Sequence, residues 1–260
     1  MRPRKSLGQN FLRDEAVISR IIDALDRDRE DTVVEIGPGT GALTYRLVET
    51  AGKVIAIEFD RDLIPQLEKQ FQRFENFRLI HDDALTVDFD EVLQNSGRNG
   101  QTKLVANLPY NISTPILQRL IDYRVLFSTI VLMFQREVVE RITAQPGGKE
   151  RGFLSVLVES AFEIEYLFDV PPTAFLPVPK VWSAVVRLTP KQSRVADEKH
   201  FRRLVSTAFA QKRKTLANNL RNIYQDTTDL LTKAGIDGKR RAETLTLDEW
   251  ITLSDLITDK

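Results

Sequence analysis

The chain lacks cysteine altogether and has only two histidines among its 260 residues. It therefore has no disulfides, no thiol nucleophile and no thiolate metal ligands, and the isolated His81 and His200 cannot build a zinc centre. No run approaches the roughly 18 uncharged apolar residues of a bilayer-spanning helix. Arg13, Asp14 and Glu15 interrupt the segment after the basic N-terminus, so we expect no signal peptide. These absences predict a cytoplasmic protein without a structural metal.

Net charge is also absent, since 37 Lys and Arg residues balance 37 Asp and Glu residues. The charge is unevenly distributed, because residues 191–260 contain 14 basic and 10 acidic residues. Residues 199–225 contain no acidic residue and seven basic ones, namely Lys199, Arg202, Arg203, Lys212, Arg213, Lys214 and Arg221. A neutral chain can therefore still present a local basic surface to phosphate groups.

Short apolar runs rich in β-branched residues alternate with helical patterns over the first two thirds of the chain. This alternation predicts an α/β fold with a mostly parallel sheet. The seven predicted strands cover residues 32–36, 53–58, 77–81, 103–107, 129–134, 163–170 and 183–189. Beyond Pro190 only helical patterns remain. We therefore predict an α/β domain over residues 1–190 and a small helical domain over residues 191–260.

A glycine loop, Gly37-Pro38-Gly39-Thr40-Gly41-Ala42, directly follows the first predicted strand. Glycine allows the backbone to turn sharply and to lie against a ligand. The loop matches the dinucleotide pattern G-x-G-x-x-G/A, and Glu58 ends the next strand, where a ribose-binding acid is expected. The loop therefore predicts a cofactor with an adenosine moiety. By itself it fits a nicotinamide dinucleotide as well as S-adenosylmethionine.

Two further acidic residues favour S-adenosylmethionine. Asp83 follows the third predicted strand, where its carboxylate can accept a hydrogen bond from an adenine amine. Glu35 lies two residues before the loop and would place a carboxylate near a cationic sulfonium or amino group. A pyrophosphate would be repelled by this anion.

The motif Asn107-Leu108-Pro109-Tyr110 follows the fourth predicted strand. It is therefore expected at the carboxyl ends of the strands, where open α/β folds bind ligands. The exocyclic amine of adenine is a poor nucleophile because its lone pair is delocalised into the ring. The Asn107 amide oxygen and the Leu108 carbonyl can accept its two hydrogens and favour a pyramidal nitrogen. Tyr110 offers a ring on which a flipped base can stack. The motif predicts methyl transfer to adenine.

Five motifs, in order along the chain, resemble the ribosomal RNA adenine dimethyltransferase family. They lie at residues 5–12, 35–41, 107–115, 171–175 and 212–216. The resemblance implies a class I methyltransferase fold, Rossmann-like with a small all-α C-terminal domain, that uses S-adenosylmethionine and no metal. The implied product is two adjacent N(6)-dimethyladenosines in the 3′-terminal hairpin loop of small-subunit ribosomal RNA, made on pre-30S particles. The implied cofactor-binding residues are Asn10, Leu12, Gly37, Gly39, Glu58, Asp83 and Asn107.

The resemblance also assigns a role to Phe175, whose ring matches the family position that sandwiches the target adenine against Tyr110. From the residues alone, Phe175 is an exposed aromatic or a core residue. Asn107, Leu108, Tyr110 and Phe175 are thus the predicted catalytic residues. Two positions depart from the family pattern: Val178 interrupts a run of prolines, and Trp182 occupies a variable position.

The basic residues of the C-terminal part are predicted to contact RNA phosphates. They are Arg202, Arg203, Lys212, Arg213, Lys214 and Arg221. We place Lys212, Arg213 and Lys214 on a helix. A charged helix face that is merely solvated is the structural alternative.

Three other functions remain open at this point. A large-subunit RNA methyltransferase of the macrolide-resistance type has related motifs, although residues 171–175 and 212–220 match the small-subunit branch better. The chain could act mainly as a ribosome-assembly binding factor. A nicotinamide-dependent oxidoreductase rests on the glycine loop alone. We expect a monomer that has no membrane partner.

Overall fold

A computed structural model describes residues 9–94, 100–109, 112–221, 223–224 and 226–257. The strands are β1 Phe11–Leu12, β2 Thr32–Ile36, β3 Lys53–Glu58, β4 Phe77–His81, β5 Thr102–Asn107, β6 Thr129–Gln135, β7 Phe162–Val170, β8 Phe175–Leu176 and β9 Ser183–Pro190. The helices are α1 Glu15–Ala24, α2 Ala42–Thr50, α3 Ile64–Phe71, α4 Phe89–Gln94, α5 Ser113–Asp122, α6 Arg136–Ile142, α7 Phe153–Ala161, α8 Glu198–Ala208, α9 Leu216–Leu220, α10 Thr227–Lys233 and α11 Leu247–Leu256. No helix in the described ranges is long and apolar enough to cross a membrane.

Seven strands form one sheet in the order β4-β3-β2-β5-β6-β9-β7. The first five in this order pair in parallel, and β9 pairs antiparallel with β6. The chain order reverses on either side of β2, so β2 and β5 end at the crevice where open α/β sheets bind ligands. The predicted α/β fold with a mostly parallel seven-stranded sheet is confirmed. All seven predicted strands exist, with bounds that differ by at most one residue at an end.

Burial explains why the central strands are rich in apolar residues and show no regular alternation. All five residues of β2 are buried, because helices cover both faces of a parallel sheet. On one face, Val33, Val54 and Val105 pack in the same core cluster as Ile18 of α1 and Leu47 of α2. At about 25 cal/mol per Å² of apolar area, burial of this kind is the main stabilising contribution to the sheet.

A second, two-stranded sheet joins two distant parts of the chain. Strand β1 pairs antiparallel with β8, so that Leu12 lies opposite Phe175. The Arg13 N–H extends this ladder by donating to the Ala174 carbonyl at 2.9 Å. The sequence patterns did not predict either strand, since a run of two residues has no readable period.

The chain divides into two compact units. One contains the described residues up to 139 together with 163–190, and the other contains 140–162 together with those from 191 onward. The division at 190 and 191 coincides with the predicted domain boundary, whereas the second unit also contains α7. The assignment of residues 1–190 and 191–260 to separate domains remains a prediction.

The second unit is built around buried Trp250 and Arg151. Trp250 is fully buried and packs against Phe209 with 5.9 Å between ring centroids. The Arg151 guanidinium pairs with Glu159 at 2.7 Å and donates to the backbone oxygens of Ala144 and Leu245. These bonds compensate for burying the guanidinium charge and join α7 to the segment before α11.

Candidate active site

The glycine loop between β2 and α2 has a backbone that only glycine adopts readily. Gly37, Gly39 and Gly41 all have positive φ angles, of 68°, 59° and 85°. A Cβ on Gly39 would lie 3.1 Å from the Phe11 ring, and one on Gly41 would lie 2.8 Å from the Phe71 ring. The loop therefore needs glycine for its conformation and for its close contacts.

Glu58, at the end of β3, binds the backbone of the glycine loop. Its Oε2 accepts a hydrogen bond from the Gly39 N–H at 3.1 Å, and its Oε1 accepts one from the Asp60 N–H at 2.8 Å. Burial raises the pKa of Glu58, while these backbone bonds partly oppose the rise. Each carboxylate oxygen retains a second lone pair for a ligand hydroxyl.

A cleft with two chambers opens at the carboxyl ends of the parallel strands, and the chambers share Gln9, Gly37, Glu58 and Pro109. The first encloses about 780 Å³, counting space open to solvent. The predicted site residues that line the first chamber are Asn10, Leu12, Gly37, Gly39, Glu58, Asn107, Leu108 and Phe175. The second chamber includes Asp83 with Asp60 and Asp82.

The charge of the lining discriminates between the two cofactor classes. The described lining residues include the carboxylates of Glu35, Glu58, Asp60, Asp82 and Asp83, and they include no lysine or arginine. Among the described side chains, a pyrophosphate would therefore meet several carboxylates and no cation, whereas a sulfonium or ammonium group would be attracted. The lining suits S-adenosylmethionine and argues against a nicotinamide dinucleotide.

Glu35 is the most deeply buried of these acids, with 1% of its surface exposed. Its Oε2 accepts a hydrogen bond from the Thr44 hydroxyl at 2.7 Å. Burial raises the pKa of Glu35 to about 7, and the negative charge of Glu58 adds to the rise, while the Thr44 bond lowers it. Thr44 was missed by the sequence analysis, because an i+9 partner in the following helix has no sequence pattern.

Asn107 ends β5 and is held by the N-terminal segment. Its Nδ2 donates to the backbone oxygen of Asn10 at 3.5 Å, a long hydrogen bond. With the nitrogen engaged in this way, Oδ1 is the amide atom that can accept from a substrate amine. Next to it, the Leu108 N–H donates to the Met133 carbonyl at 3.4 Å, and the Pro109 carbonyl accepts from the Ile112 N–H at 3.2 Å. These bonds fix the backbone around the motif.

Phe175 belongs to β8 of the two-stranded sheet, and this pairing places it at the cleft. It is 4% exposed and lines the same chamber as Asn107. Of the two readings that the residues alone left open, the structure favours a largely buried ring at the cleft wall. Tyr110, its predicted partner, lies outside the described residues.

Sequence reasoning also overlooked residues that complete the cleft. Met133 and Phe134 of β6 and Ser183 of β9 line the first chamber beside Asn107. Gln9 lines both chambers, and its Nε2 donates to Asp60 Oδ2 at 2.8 Å. Gln9 was within reach of sequence reasoning, since a polar residue stands beside Asn10 in the first motif, whereas the strand residues had no such signal.

The predicted RNA-contacting residues lie in the second unit, and the helical placement of three of them is wrong. Arg202 and Arg203 lie on α8, but Lys212, Arg213 and Lys214 form an exposed turn between α8 and α9, here called the basic turn. Helix α8 ends at Ala208, before these three residues. The Asn219 side chain caps this end by donating to the carbonyls of Ala208 and Gln211, at 2.7 and 3.2 Å.

Arg221 lies just after α9 and is exposed. Its guanidinium donates to the Asn218 side chain. The structure thus brings the basic turn and the end of α9 into one unit, which is compatible with a common phosphate-binding surface. Their contact with RNA remains a prediction.

Comparison with known proteins supports what this geometry indicates. A model of the family described as Ribosomal RNA adenine dimethylase matches residues 1–259. The chain belongs to this family. It is 48% identical to Ribosomal RNA small subunit methyltransferase A of Magnetococcus marinus, over 97% of this chain and 91% of that protein.

Two solved structures extend the similarity. The dimethyladenosine transferase from Plasmodium falciparum is 28% identical, has a TM-score of 0.82, and is matched over 94% of this chain and 95% of that one. The 23S rRNA methyltransferase ErmE is 25% identical, has a TM-score of 0.71, and is matched over 95% of this chain and 99% of that one. The predicted resemblance to the ribosomal RNA adenine dimethylase family is confirmed, and so is the class I methyltransferase fold. The protein is thus an enzyme of ribosomal RNA methylation.

Proposed function

We propose that this enzyme methylates two adjacent adenosines at N(6) in the 3′-terminal hairpin loop of small-subunit ribosomal RNA. Each adenosine receives two methyl groups from S-adenosylmethionine. The enzyme acts as a cytoplasmic monomer on assembling pre-30S particles. One observation carries this proposal: Asn107 and Phe175, which suit an adenine, line the same chamber as the glycine loop and Glu58.

The cleft residues fit S-adenosylmethionine. The Glu58 carboxylate has lone pairs for the two ribose hydroxyls, and Asp83 in the second chamber suits the adenine amine. Asn10, Leu12, Gly37 and Gly39 would enclose the remainder from the first chamber. When bound there, S-adenosylmethionine supplies an electrophilic methyl group.

Asn107 and Leu108 prepare the amine for reaction. Asn107 Oδ1 and the Leu108 carbonyl accept the two N(6) hydrogens, which draws the nitrogen toward a pyramidal geometry with its lone pair exposed. This is catalysis by positioning and polarisation. The methylated nitrogen would then release one proton to water, so no residue need act as a general base. A second methylation requires that the chamber also admit a monomethylated amine at the same place.

Phe175 and Tyr110 would hold the target adenine between two rings. An enzyme that reacts with a base must take that base out of its stack and provide a substitute. The rigid position of Phe175, paired with Leu12 across the small sheet, supports this role. In the second unit, Arg202, Arg203, Arg221 and the basic turn would contact phosphates and orient the RNA.

Small-subunit RNA is favoured over large-subunit RNA as the substrate. The relative named for the small subunit is much more similar to this chain than the large-subunit enzyme ErmE is. The acidic lining of the cleft disfavours the oxidoreductase alternative.

The test is methyl transfer from labelled S-adenosylmethionine to small subunits from a strain that lacks this modification. We expect dimethyladenosine at two adjacent positions, mapped by mass spectrometry. Transfer to large-subunit RNA instead would support the macrolide-resistance type. Binding to the particles without any transfer would support an assembly factor.

A further inference from the structure

The segment 176–182, here called the cleft lip, joins two residues of the active-site chamber. It begins after Phe175 and ends before Ser183, and both of these residues line the cleft beside Asn107. The chamber is where a target adenine would be held. Both ends of the cleft lip, Leu176 and Trp182, are therefore directly bonded along the chain to residues of that chamber.

The cleft lip is apolar and exposed, although its neighbours are buried. Leu176, Val178, Val181 and Trp182 are among the most exposed large hydrophobic residues, and Trp182 has 48% of its surface exposed. The other tryptophan, Trp250, is fully buried. Burial of the Trp182 indole is therefore incomplete, and an exposed aromatic ring close to an active site suits contact with a ligand.

The backbone of the cleft lip is anchored at both ends. The Trp182 carbonyl accepts a hydrogen bond from the Arg136 N–H at 3.0 Å, and the next residue, Ser183, pairs with Gln135 at the end of β6. At the other end of the cleft lip, Leu176 pairs with Phe11. Pro177 and Pro179 restrict the chain between these anchors. A ligand stacking on Trp182 would therefore meet a segment whose backbone need not be ordered on binding.

The charge of the cleft lip fits a nucleic acid. Lys180 is exposed, and it is the only charged residue between 171 and 183. Within the segment, an aromatic ring is thus accompanied by a cation and no acid, and the neighbouring Arg136 is balanced by its ion pair with Asp169 at 3.7 Å. Proteins bind single-stranded RNA with rings and cations of this kind, since the ring stacks on a base and the cation faces a phosphate.

We propose that Trp182 is a stacking platform for a nucleobase next to the target adenosine, with Lys180 contacting the adjoining phosphate. This inference rests on the proposed function, because it takes ribosomal RNA as the substrate. Trp182 acts on substrate binding and register, and it takes no part in the methyl transfer itself.

The first experiment compares methyl transfer to unmodified small subunits by the wild type, Trp182→Ala, Trp182→Phe and Val125→Ala. We expect Trp182→Ala to raise KM about 10-fold with little change in kcat, as for the loss of one base stack. Trp182→Phe should retain most of the affinity because its ring still stacks. Val125, which is 81% exposed in the short turn before β6 begins, is the control for loss of an exposed apolar side chain.

Binding of S-adenosylmethionine by calorimetry shows whether Trp182→Ala is folded, and its affinity should equal that of the wild type. A KM for Trp182→Ala equal to that of the wild type would overturn the inference while leaving the proposed function intact. A wild type that transfers no methyl groups would instead overturn the proposed function.

The second experiment identifies the contact directly. The photoreactive variant Trp182→p-benzoylphenylalanine is bound to unmodified small subunits and irradiated, and the crosslinks are mapped. We expect crosslinks to nucleotides flanking the target adenosines. Crosslinks to a ribosomal protein, or to RNA distant from the target, would overturn the proposal.

Discussion

The cofactor cleft and the basic turn present opposite charges in opposite environments. In the cleft, Glu35 and Glu58 are 1% and 5% exposed, and a hydroxyl or backbone N–H groups hold their carboxylates. In the basic turn, Lys212, Arg213 and Lys214 are all exposed on a surface turn. Buried charges act strongly over short distances, whereas exposed charges are screened by water and salt. The comparison indicates that the acids of the cleft can distinguish ligands by charge at contact distance, whereas the basic turn, if it meets RNA as predicted, would act through attraction that salt weakens.

The largest expected effect on activity comes from removing the Asn107 side-chain amide from the cleft. Asn107→Ala removes the proposed acceptor for an N(6) hydrogen and the bond to Asn10. We expect kcat to fall about 100- to 1,000-fold, as when a positioned polar group is removed from a transition state. Single-turnover methyl transfer measures the loss. Binding to small subunits is the control and should persist, and wild-type turnover by this variant would contradict the assigned role.

The buried carboxylate of Glu35 should make stability depend on pH. Burial raises its pKa to about 7, so the folded state keeps a proton that the unfolded chain releases above its ordinary value of 4.5. Stability therefore decreases as the pH rises from about 4.5 to about 7, and Glu58, whose pKa is also raised, acts in the same direction. Glu35→Gln should remove on the order of 3 kcal/mol of this decline.

Urea unfolding at several pH values between these limits measures this effect. The exposed Glu68→Gln is the matched control and should leave the pH dependence of the wild type unchanged. If Glu35→Gln retains the same decline, the carboxyl of Glu35 is not the group responsible.

The glycine loop should be more sensitive to a methyl group than a surface turn with the same φ. Gly41 has a φ of 85° and would place a Cβ 2.8 Å from the Phe71 ring, whereas Gly147 has a φ of 84° with open space around it. We expect Gly41→Ala to lower the free energy of unfolding by about 3 kcal/mol and Gly147→Ala by about 1 kcal/mol. Denaturant melts compare the pair, and equal losses would show that strain in φ alone is responsible.

The smallest effects should come from the basic turn, one cation at a time. Lys212→Ala and Lys214→Ala should each raise KM for small subunits a few-fold and reduce the slope of log KM against log salt concentration by about one. Affinity for S-adenosylmethionine should not change. Lys233→Ala, which removes a lysine paired with Asp229, is the control. The control should keep the wild-type slope, and an unaltered slope in both Lys212→Ala and Lys214→Ala would exclude these two lysines from RNA binding.

Much of the fold was predictable because the sheet is buried on both faces. Continuous apolar strands such as β2 and β3 differ from amphipathic helices in period and length, so their bounds were predicted correctly. The two-residue strands β1 and β8 were missed, because their pairing depends on residues more than 160 positions apart. The basic turn was misplaced on a helix, because Asn219 ends α8 through a side chain that lies beyond the turn.

The cofactor cleft was predictable in part, because some of its residues lie in local motifs. Glycines followed by a helix, and an acid at the end of the next strand, are local signals of a local structure. The sequence by itself determined the class of fold, the conformation of the glycine loop and the hydrogen-bonding groups that Asn107 offers. Backbone conformation and hydrogen-bonding chemistry depend on residue type. Only the tertiary structure decided that Glu35 is deeply buried with a raised pKa, that Phe175 and Asn107 share one chamber, and that Trp182 is exposed although the next residue, Ser183, lines that chamber. These properties depend on which distant segments exclude water from a side chain, and no local pattern specifies that.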